Sequence, residues 1–99
     1  MGFPGGEHYA TKEIQEICDQ VKTKVEEMTG RNLEEFKAFV YRELKNSVST
    51  TYQVKVYVGG TEYFHVLIHQ TASETGEVKI TVEHVEQHHE KDDVIIPVD

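Results

Sequence analysis

Six histidines and one cysteine are the side chains of this sequence best suited to metal binding or nucleophilic chemistry. His65 and His69 share one face of a predicted strand, where they lie about 13 Å apart, too far to hold one metal ion. His84, His88 and His89 could form a site only with a cross-strand partner. A set of cysteine ligands and an HExxH pair are both absent from the sequence. We therefore predict no metal site, and solvated histidines whose charge follows pH.

Catalytic chemistry is not indicated either. Cys18 lies on the apolar stripe of a predicted helix with no histidine nearby in sequence, which is typical of a buried structural thiol. A single cysteine also excludes an internal disulfide. Carboxylates occur at Glu7 and in the run "HHEKDD", but general acid–base catalysis needs such groups held in a cleft, and nothing in the sequence predicts one. The sequence therefore predicts no catalytic residue, no cofactor and no enzyme activity.

The overall charge limits the choice of partners. The 99 residues include 18 acidic and 10 basic side chains, a formal net charge of −8 at pH 7. Because no Lys/Arg patch is present to neutralise phosphates, we exclude nucleic acid and anionic membranes as partners. The sequence shows no secretory signal and no stretch near the ~20 apolar residues of a membrane span. We expect a cytoplasmic protein with a single domain, residues 1–99.

One amphipathic helix is expected in the first third of the chain. Thr11 is a typical N-cap and Gly30 a typical stop, so the helix spans roughly 18 residues. Apolar residues recur between these limits at steps of three and four: Ile14, Ile17, Cys18, Val21, Val25 and Met28. Residues 1–10 are glycine-rich and aperiodic, which predicts a flexible N-terminal arm.

After residue 32 the hydrophobic pattern changes from helical to strand-like. Four segments have strand composition or alternation, with a Gly59-Gly60 turn between the second and third: residues 36–44, 52–58, 64–69 and 78–82. Residues 71–77 are expected to form a loop, and residues 86–93 a polar run. The helix stripe and the sheet face each need an apolar partner. The predicted class is α+β, with one long N-terminal helix packed on a four- to five-stranded antiparallel sheet.

In this order the segments resemble the type 1 cystatins, or stefins, a family of small inhibitors without disulfides. The similarity runs through "PGG" at residues 4–6, "ATKEIQEICDQVKTKVEE" at 10–27, "TTYQVKVYVGGTEYFHVLIHQ" at 50–70 and "EKDDVI" at 90–95. The resemblance implies a cystatin-like fold. It also implies a reversible, non-covalent inhibitor of papain-like cysteine proteases of the cathepsin type.

The resemblance further implies which residues bind the protease. Members of the family fill the active-site cleft with an N-terminal arm and two hairpin loops. The corresponding positions here are Pro4, Gly5, Gly6, Lys45, Asn46, Ser47, Val48, Ser49, Thr71, Ala72, Ser73 and Glu74.

Two features depart from the family pattern. The first loop of stefins carries Gln-x-Val-x-Gly, whereas residues 45–49 read Lys-Asn-Ser-Val-Ser. Each buried valine that is lost removes about 1.5 kcal/mol of binding free energy. The arm is also about three residues shorter than in the family, or about 10 Å of extended chain. The alternative function is therefore a stefin-fold interaction module that no longer inhibits. We expect a monomer, with a domain-swapped dimer through a sheet edge as the other state.

Overall fold

The architecture is one helix packed against the face of an antiparallel sheet. The computed structural model describes residues 6–97. Its elements in chain order are β1 (His8–Tyr9), α1 (Lys12–Thr29), β2 (Lys37–Lys45), β3 (Ser49–Gly59), β4 (Glu62–Ala72) and β5 (Val78–His89). The five strands follow one another in the sheet in sequence order, and every neighbouring pair is antiparallel. The predicted α+β class and cystatin-like layout are confirmed.

The helix α1 begins and ends where local sequence signals place it. Thr11 Oγ1 accepts a hydrogen bond from the Ile14 N–H at 3.2 Å, and the Gly30 N–H donates to Glu26 O at 2.8 Å. Gly30 has φ of 70°, a left-handed conformation that glycine adopts most easily because it has no Cβ. The predicted stripe faces the sheet, since five of its members are buried: Ile14, Ile17, Cys18, Val21 and Val25.

The core lies between this stripe and the inner face of the two central strands, β3 and β4. Alternate residues of both strands are buried against the helix: Val54, Val56, Val58, Phe64, Val66 and Ile68. Full burial of such a side chain contributes about 1.5–3 kcal/mol. Leu33 and Phe36, from the connection between α1 and β2, belong to the same cluster.

The strands β4 and β5 are both longer than the sequence predicts. β4 continues through Thr71 and Ala72, and β5 continues through residues 86–89, which we expected to be a polar run without regular structure. Register shifts in the β4–β5 pairing explain the difference. Because of such a shift, Val82 and Val85 both pack on the core although they are three residues apart, which breaks the period-two pattern of a regular strand.

The segment predicted to be a flexible arm is partly ordered. Its residues His8 and Tyr9 form β1, where they pair with Tyr41 and Val40 of β2. The Glu7 carboxylate accepts a hydrogen bond from the Ile95 N–H at 3.0 Å, which ties the start of the chain to its C-terminal segment. The end of the arm is therefore part of the fold.

The C-terminal segment, residues 90–97, lies across the sheet face opposite the helix. Ile95 is 1% exposed, which makes it the apolar anchor of the segment. Side chains of this outer face donate to its carbonyl groups: Arg42 Nε to Ile95 O (3.0 Å), Gln53 Nε2 to Ile96 O (2.6 Å) and Lys55 Nζ to Lys91 O (2.6 Å). The segment therefore covers polar residues that an open sheet would leave in solvent.

Candidate functional site

Two loops lie at one end of the sheet, and the described start of the chain lies toward the same end. The β2–β3 loop (residues 46–48) and the β4–β5 loop (residues 73–77) are neighbours, since Ser49 pairs with Thr71 at the start of β3 and the end of β4. Because β1 runs antiparallel to β2, Gly6 and Glu7, the described residues before His8, lie on the side of β1 that faces the same end. We call this part of the molecule, Gly6 with residues 44–49 and 71–78, the tip end.

The first loop of the tip end is held in shape by one side chain. Asn46 Oδ1 accepts hydrogen bonds from the Val48 N–H at 3.0 Å, the Ser49 N–H at 2.9 Å and the Ser49 hydroxyl at 3.2 Å. The Asn46 N–H in turn donates to Ser49 O at 2.9 Å. This is the local turn-forming chemistry of asparagine, so the loop is preformed although it lacks glycine.

Ser73 plays the same part in the second loop. Its hydroxyl lies 2.8 Å from Thr75 Oγ1 and accepts the Glu77 N–H at 3.1 Å, while its backbone N–H donates to Glu77 O at 2.8 Å. Gly76 supplies the positive φ of 88° that the turn requires and donates to Ser73 O at 2.9 Å. Both loops are therefore short, polar and internally bonded.

The structure places most of the sequence-predicted site residues at the tip end. Residues 46–48 form the first loop, and Ser73 and Glu74 begin the second. Assignment of Thr71 and Ala72 to a loop was wrong, because both lie in β4, where they continue the ladder with β5. Lys45 is the last residue of β2 and Ser49 the first residue of β3. Pro4 and Gly5 lie outside the described residues.

Exposed apolar side chains at the tip end were missed by the sequence analysis, apart from Val48. Val48 is 67% exposed, and so are Leu44 (51%) at the end of β2 and Val78 (57%) at the start of β5. Leu44 and Val78 were both assigned to strands, where an apolar residue is expected to face the core. The position of Leu44 could have been found from the alternation of β2, because Arg42 and Leu44 are two residues apart and share the face opposite the helix.

The single cysteine has no role at this site. Cys18 is 0% exposed and packs in the core. Burial, with a smaller contribution from the Asp19 carboxylate, raises the pKa of its thiol to about 12. The thiolate that nucleophilic chemistry requires is therefore suppressed, and the prediction of a buried structural thiol is confirmed.

The opposite end of the sheet carries a charged network. Arg31 forms two hydrogen bonds of 2.8 Å to the Glu62 carboxylate and a third of 3.0 Å to Gln87 Oε1. His88 lies at 2.9 Å from the same carboxylate and also donates its backbone N–H to it at 3.1 Å. The hydrogen bonds from Arg31 lower the pKa of Glu62. We call these four residues the distal network; it joins the end of α1 to β4 and β5.

The expectation that the histidines are solvated is wrong for His65. This residue is 8% exposed, and its ring stacks on that of His89 with centroids 3.7 Å apart. Burial, assisted by the neighbouring His89 and Lys55, lowers the pKa of His65 to about 4. His65 of β4 is therefore the cross-strand partner of His89, which the sequence left open.

Comparison with known proteins identifies the family of this chain. No protein-family model matches the chain. Among curated relatives, Cystatin-A8 of Sus scrofa is 41% identical over 68 residues, which are 69% of this chain and 65% of that protein. Leukocyte cysteine proteinase inhibitor 1 of Sus scrofa is 44% identical over 62 residues, 63% of this chain and 59% of that protein. The matches thus span somewhat less than two thirds of these two relatives.

A third relative is matched over more of its length. Cystatin-A of Mus musculus is 35% identical over 82 residues, which are 80% of this chain and 84% of that protein. A helix packed on a five-stranded antiparallel sheet is the cystatin-like architecture. The chain belongs to the stefin, or type 1 cystatin, family, whose members are protease inhibitors rather than enzymes. Within residues 6–97, no helix is long and apolar enough to cross a membrane.

Proposed function

We propose that this chain is a reversible, non-covalent inhibitor of papain-like cysteine proteases of the cathepsin type. The N-terminal arm and the two hairpin loops would enter the active-site cleft together. The observation that supports the proposal is that both hairpin loops and Gly6 lie toward one end of the sheet, the tip end. The name of one relative, Leukocyte cysteine proteinase inhibitor 1, supports the class of target.

The internal bonding of the two loops explains how such an inhibitor works without chemistry. A loop already ordered by Asn46 or Ser73 loses little conformational entropy when it enters a cleft. The loops present amide, hydroxyl and carboxylate groups, and the buried Cys18 cannot form a bond with the enzyme. The complex is therefore reversible. Proposed contacts in the arm are Pro4, Gly5 and Gly6, and those in the loops are residues 45–49 and 71–74.

Apolar contact at the tip end sets the affinity. Burying an exposed valine stabilises a complex by about 1.5 kcal/mol, or roughly tenfold in Kd. Val48 and Leu44 are the exposed apolar side chains at and beside the first loop. Asn46 and Ser47 offer no comparable contact. We therefore expect weaker inhibition than an apolar first loop would give.

We also propose a cytoplasmic monomer with no nucleic-acid or membrane partner. The net charge of −8 disfavours polyanionic partners. The two edge strands differ in the length of backbone that they offer for pairing with another chain, since β1 is two residues long while β5 is twelve. Exchange through an edge would give the domain-swapped dimer, which light scattering separates from a monomer.

The test is a titration of papain with the full chain, followed by dilution. Residual activity should fall in a saturable manner and return when the complex is diluted, because no bond is formed. A matched titration of a cathepsin exopeptidase reports whether the arm and loops fit both kinds of cleft. Full activity with the chain in large excess over both enzymes overturns the proposal.

The polarity of the first loop favours a second candidate, a stefin-fold module that binds partners without inhibiting. In this case papain retains its activity with the chain in large excess. Affinity capture with the chain as bait separates the two functions. Recovery of papain-like enzymes supports inhibition, whereas recovery of unrelated proteins, lost when β5 is blocked by a charged substitution, supports the module.

A further inference from the structure

Three metal-ligating side chains meet on the outer face of the sheet, away from the tip end. His65 of β4 is paired directly with Glu86 of β5. Between Glu86 and the end of β5 the register shifts, and His88 has a positive φ of 64°. The shift brings the His89 ring over that of His65. One ligand atom from each of His65, Glu86 and His89 lies within 4.8 Å of the others; we call these three residues the histidine–glutamate cluster.

The first member of the cluster has a buried atom that lacks a partner. His65 Nε2 is buried and, among the residues that the structure describes, makes no hydrogen bond. The residue as a whole is 8% exposed. A buried polar atom without a partner is costly, and native proteins rarely tolerate one that has no role. A bound ion would satisfy a ring nitrogen of this kind.

The second histidine of the cluster has a carboxylate beside each of its ring nitrogens. His89 Nδ1 lies 2.9 Å from Asp93 Oδ2, and His89 Nε2 lies 2.8 Å from Glu86 Oε1. Asp93 is itself fixed by the Glu90 N–H, which donates to it at 2.9 Å. A carboxylate on one ring nitrogen is the usual device that aims the other nitrogen at a metal. Asp93 is therefore a positioning residue, and Glu86 is the ligand that faces His89.

The charges near the cluster are mixed. Lys55 Nζ lies on the same face and donates to the carbonyl groups of Lys91 and Asp93. Its positive charge opposes a cation, while the carboxylates of Glu86 and Asp93 favour one. The balance of these three groups is one negative charge, and the chain as a whole carries −8. Electrostatics therefore permits a divalent cation here.

The stacked rings must move before both can bind one ion. Their planes are 4° from parallel, with centroids 3.7 Å apart. A metal ion lies in the plane of each imidazole that binds it, so two parallel rings cannot share one ion until one of them rotates. Space is available beside the cluster, where a pocket is lined by His65, Glu86, His84 and Ile96. Glu86 is about half exposed and can follow the ion.

We propose that His65, Glu86 and His89 bind one divalent first-row transition-metal ion per chain. Two imidazoles and one carboxylate are the donor set that Zn²⁺ accepts in open three-ligand sites, with solvent in the fourth position. The ion would replace the proton shared by His89 and Glu86 and would link β4 to the end of β5. Six residues of β4, about 20 Å, separate His65 from Thr71 at the tip end. The site is thus independent of protease binding.

The test is a calorimetric titration of the full chain with ZnCl₂ at neutral pH. We expect one ion per chain and a thermal midpoint that rises with Zn²⁺ concentration. Glu86→Gln and His89→Gln should each weaken binding by at least tenfold. Asp93→Asn should weaken it by about tenfold, because it removes a group that orients His89. The control is His88→Asn, which removes the adjacent histidine and keeps a residue that tolerates positive φ.

Two further measurements keep the test decisive. The visible spectrum of the Co²⁺-loaded chain should lose intensity in His89→Gln and keep it in His88→Asn, which a merely structural effect would not produce. Inhibition of papain should be equal for the wild type and Glu86→Gln. Absence of saturable binding, unchanged affinity in Glu86→Gln, or an equal loss in His88→Asn would each overturn the proposal.

Discussion

The two ends of the sheet hold their shape in different ways. At the tip end, Asn46 and Ser73 bond to backbone within four residues of themselves, and the side chains around them are exposed. At the other end, Arg31 bonds to Glu62 and Gln87, which are 31 and 56 residues away in sequence. The tip end is thus built from local signals and can change without loss of the fold. The distal network and the outer face depend on contacts between distant segments.

The largest expected effect concerns the outer face, where the C-terminal segment is anchored by Ile95. Ile95→Ala should lower the free energy of unfolding by about 2–5 kcal/mol, because the side chain is 1% exposed and leaves a cavity. The adjacent Ile96 is 78% exposed and provides the control, since Ile96→Ala should change stability by less than about 0.5 kcal/mol. Denaturation in urea measures both. Equal effects would mean that the segment does not anchor the sheet.

The next effect concerns the tip end and should appear in binding rather than in stability. Replacing residues 45–49 by Gln-Val-Val-Ala-Gly adds apolar surface to the first loop and should tighten inhibition of papain by about tenfold. The free energy of unfolding should change by about 1 kcal/mol or less, since the loop is exposed. An unchanged inhibition constant, with the fold intact, would show that the first loop does not contact the enzyme.

The distal network gives the opposite combination, an effect on stability with none on inhibition. Glu62→Gln should lower the free energy of unfolding by about 1 kcal/mol at neutral pH. The substitution removes the negative charge that pairs with Arg31, and this ion pair is partly exposed. The pKa of Glu62 is lowered in the folded chain, so its contribution is present above the ordinary pKa of 4.5. It is lost as the pH falls through the lower folded pKa.

Denaturation of the wild type and Glu62→Gln over a range of pH measures this effect. The difference between the two should shrink as the pH falls below 4.5, because the carboxylate is then protonated. Titration of carboxylates that do not contact Glu62 cancels in the difference. A gap that widens below pH 4.5 would contradict the assigned role of Glu62.

The smallest expected effect concerns the loop that Asn46 orders. Asn46→Ala removes an acceptor of three hydrogen bonds and should lower the free energy of unfolding by about 0.5–1 kcal/mol. Inhibition should weaken several-fold, because the loop must then be ordered on binding. Asn46→Asp keeps the accepting oxygen and serves as the control. Loss of inhibition in both variants alike would show that loop order is not the cause.

Elements with local signals could be predicted from the sequence. The bounds of α1 follow from the Thr11 cap, the apolar stripe and Gly30, and the central hairpin follows from alternation around Gly59 and Gly60. The family resemblance then placed the two loops at one end. These signals need no knowledge of distant contacts.

Features that depend on distant segments could not be predicted. The register shifts in the β4–β5 pairing interrupt the period-two pattern of β5, since Val82 and Val85 face the same side although they are three residues apart. The sequence pattern therefore does not reveal the full length of β5. His65 and Lys55 are polar residues in a strand pattern, which normally means exposure. They are buried because residues 90–97 cover their face of the sheet, and nothing in the local sequence indicates this cover.

The account depends on the tip end being the surface that enters a protease, and one pair of variants tests this directly. Val48→Glu places a charge on the exposed valine of the first loop, and Thr61→Glu places the same charge on the exposed turn at the opposite end of the sheet. The measurement is the inhibition constant against papain. We expect Val48→Glu to weaken inhibition by at least tenfold and Thr61→Glu to leave it unchanged. Equal constants for the two variants would contradict the account.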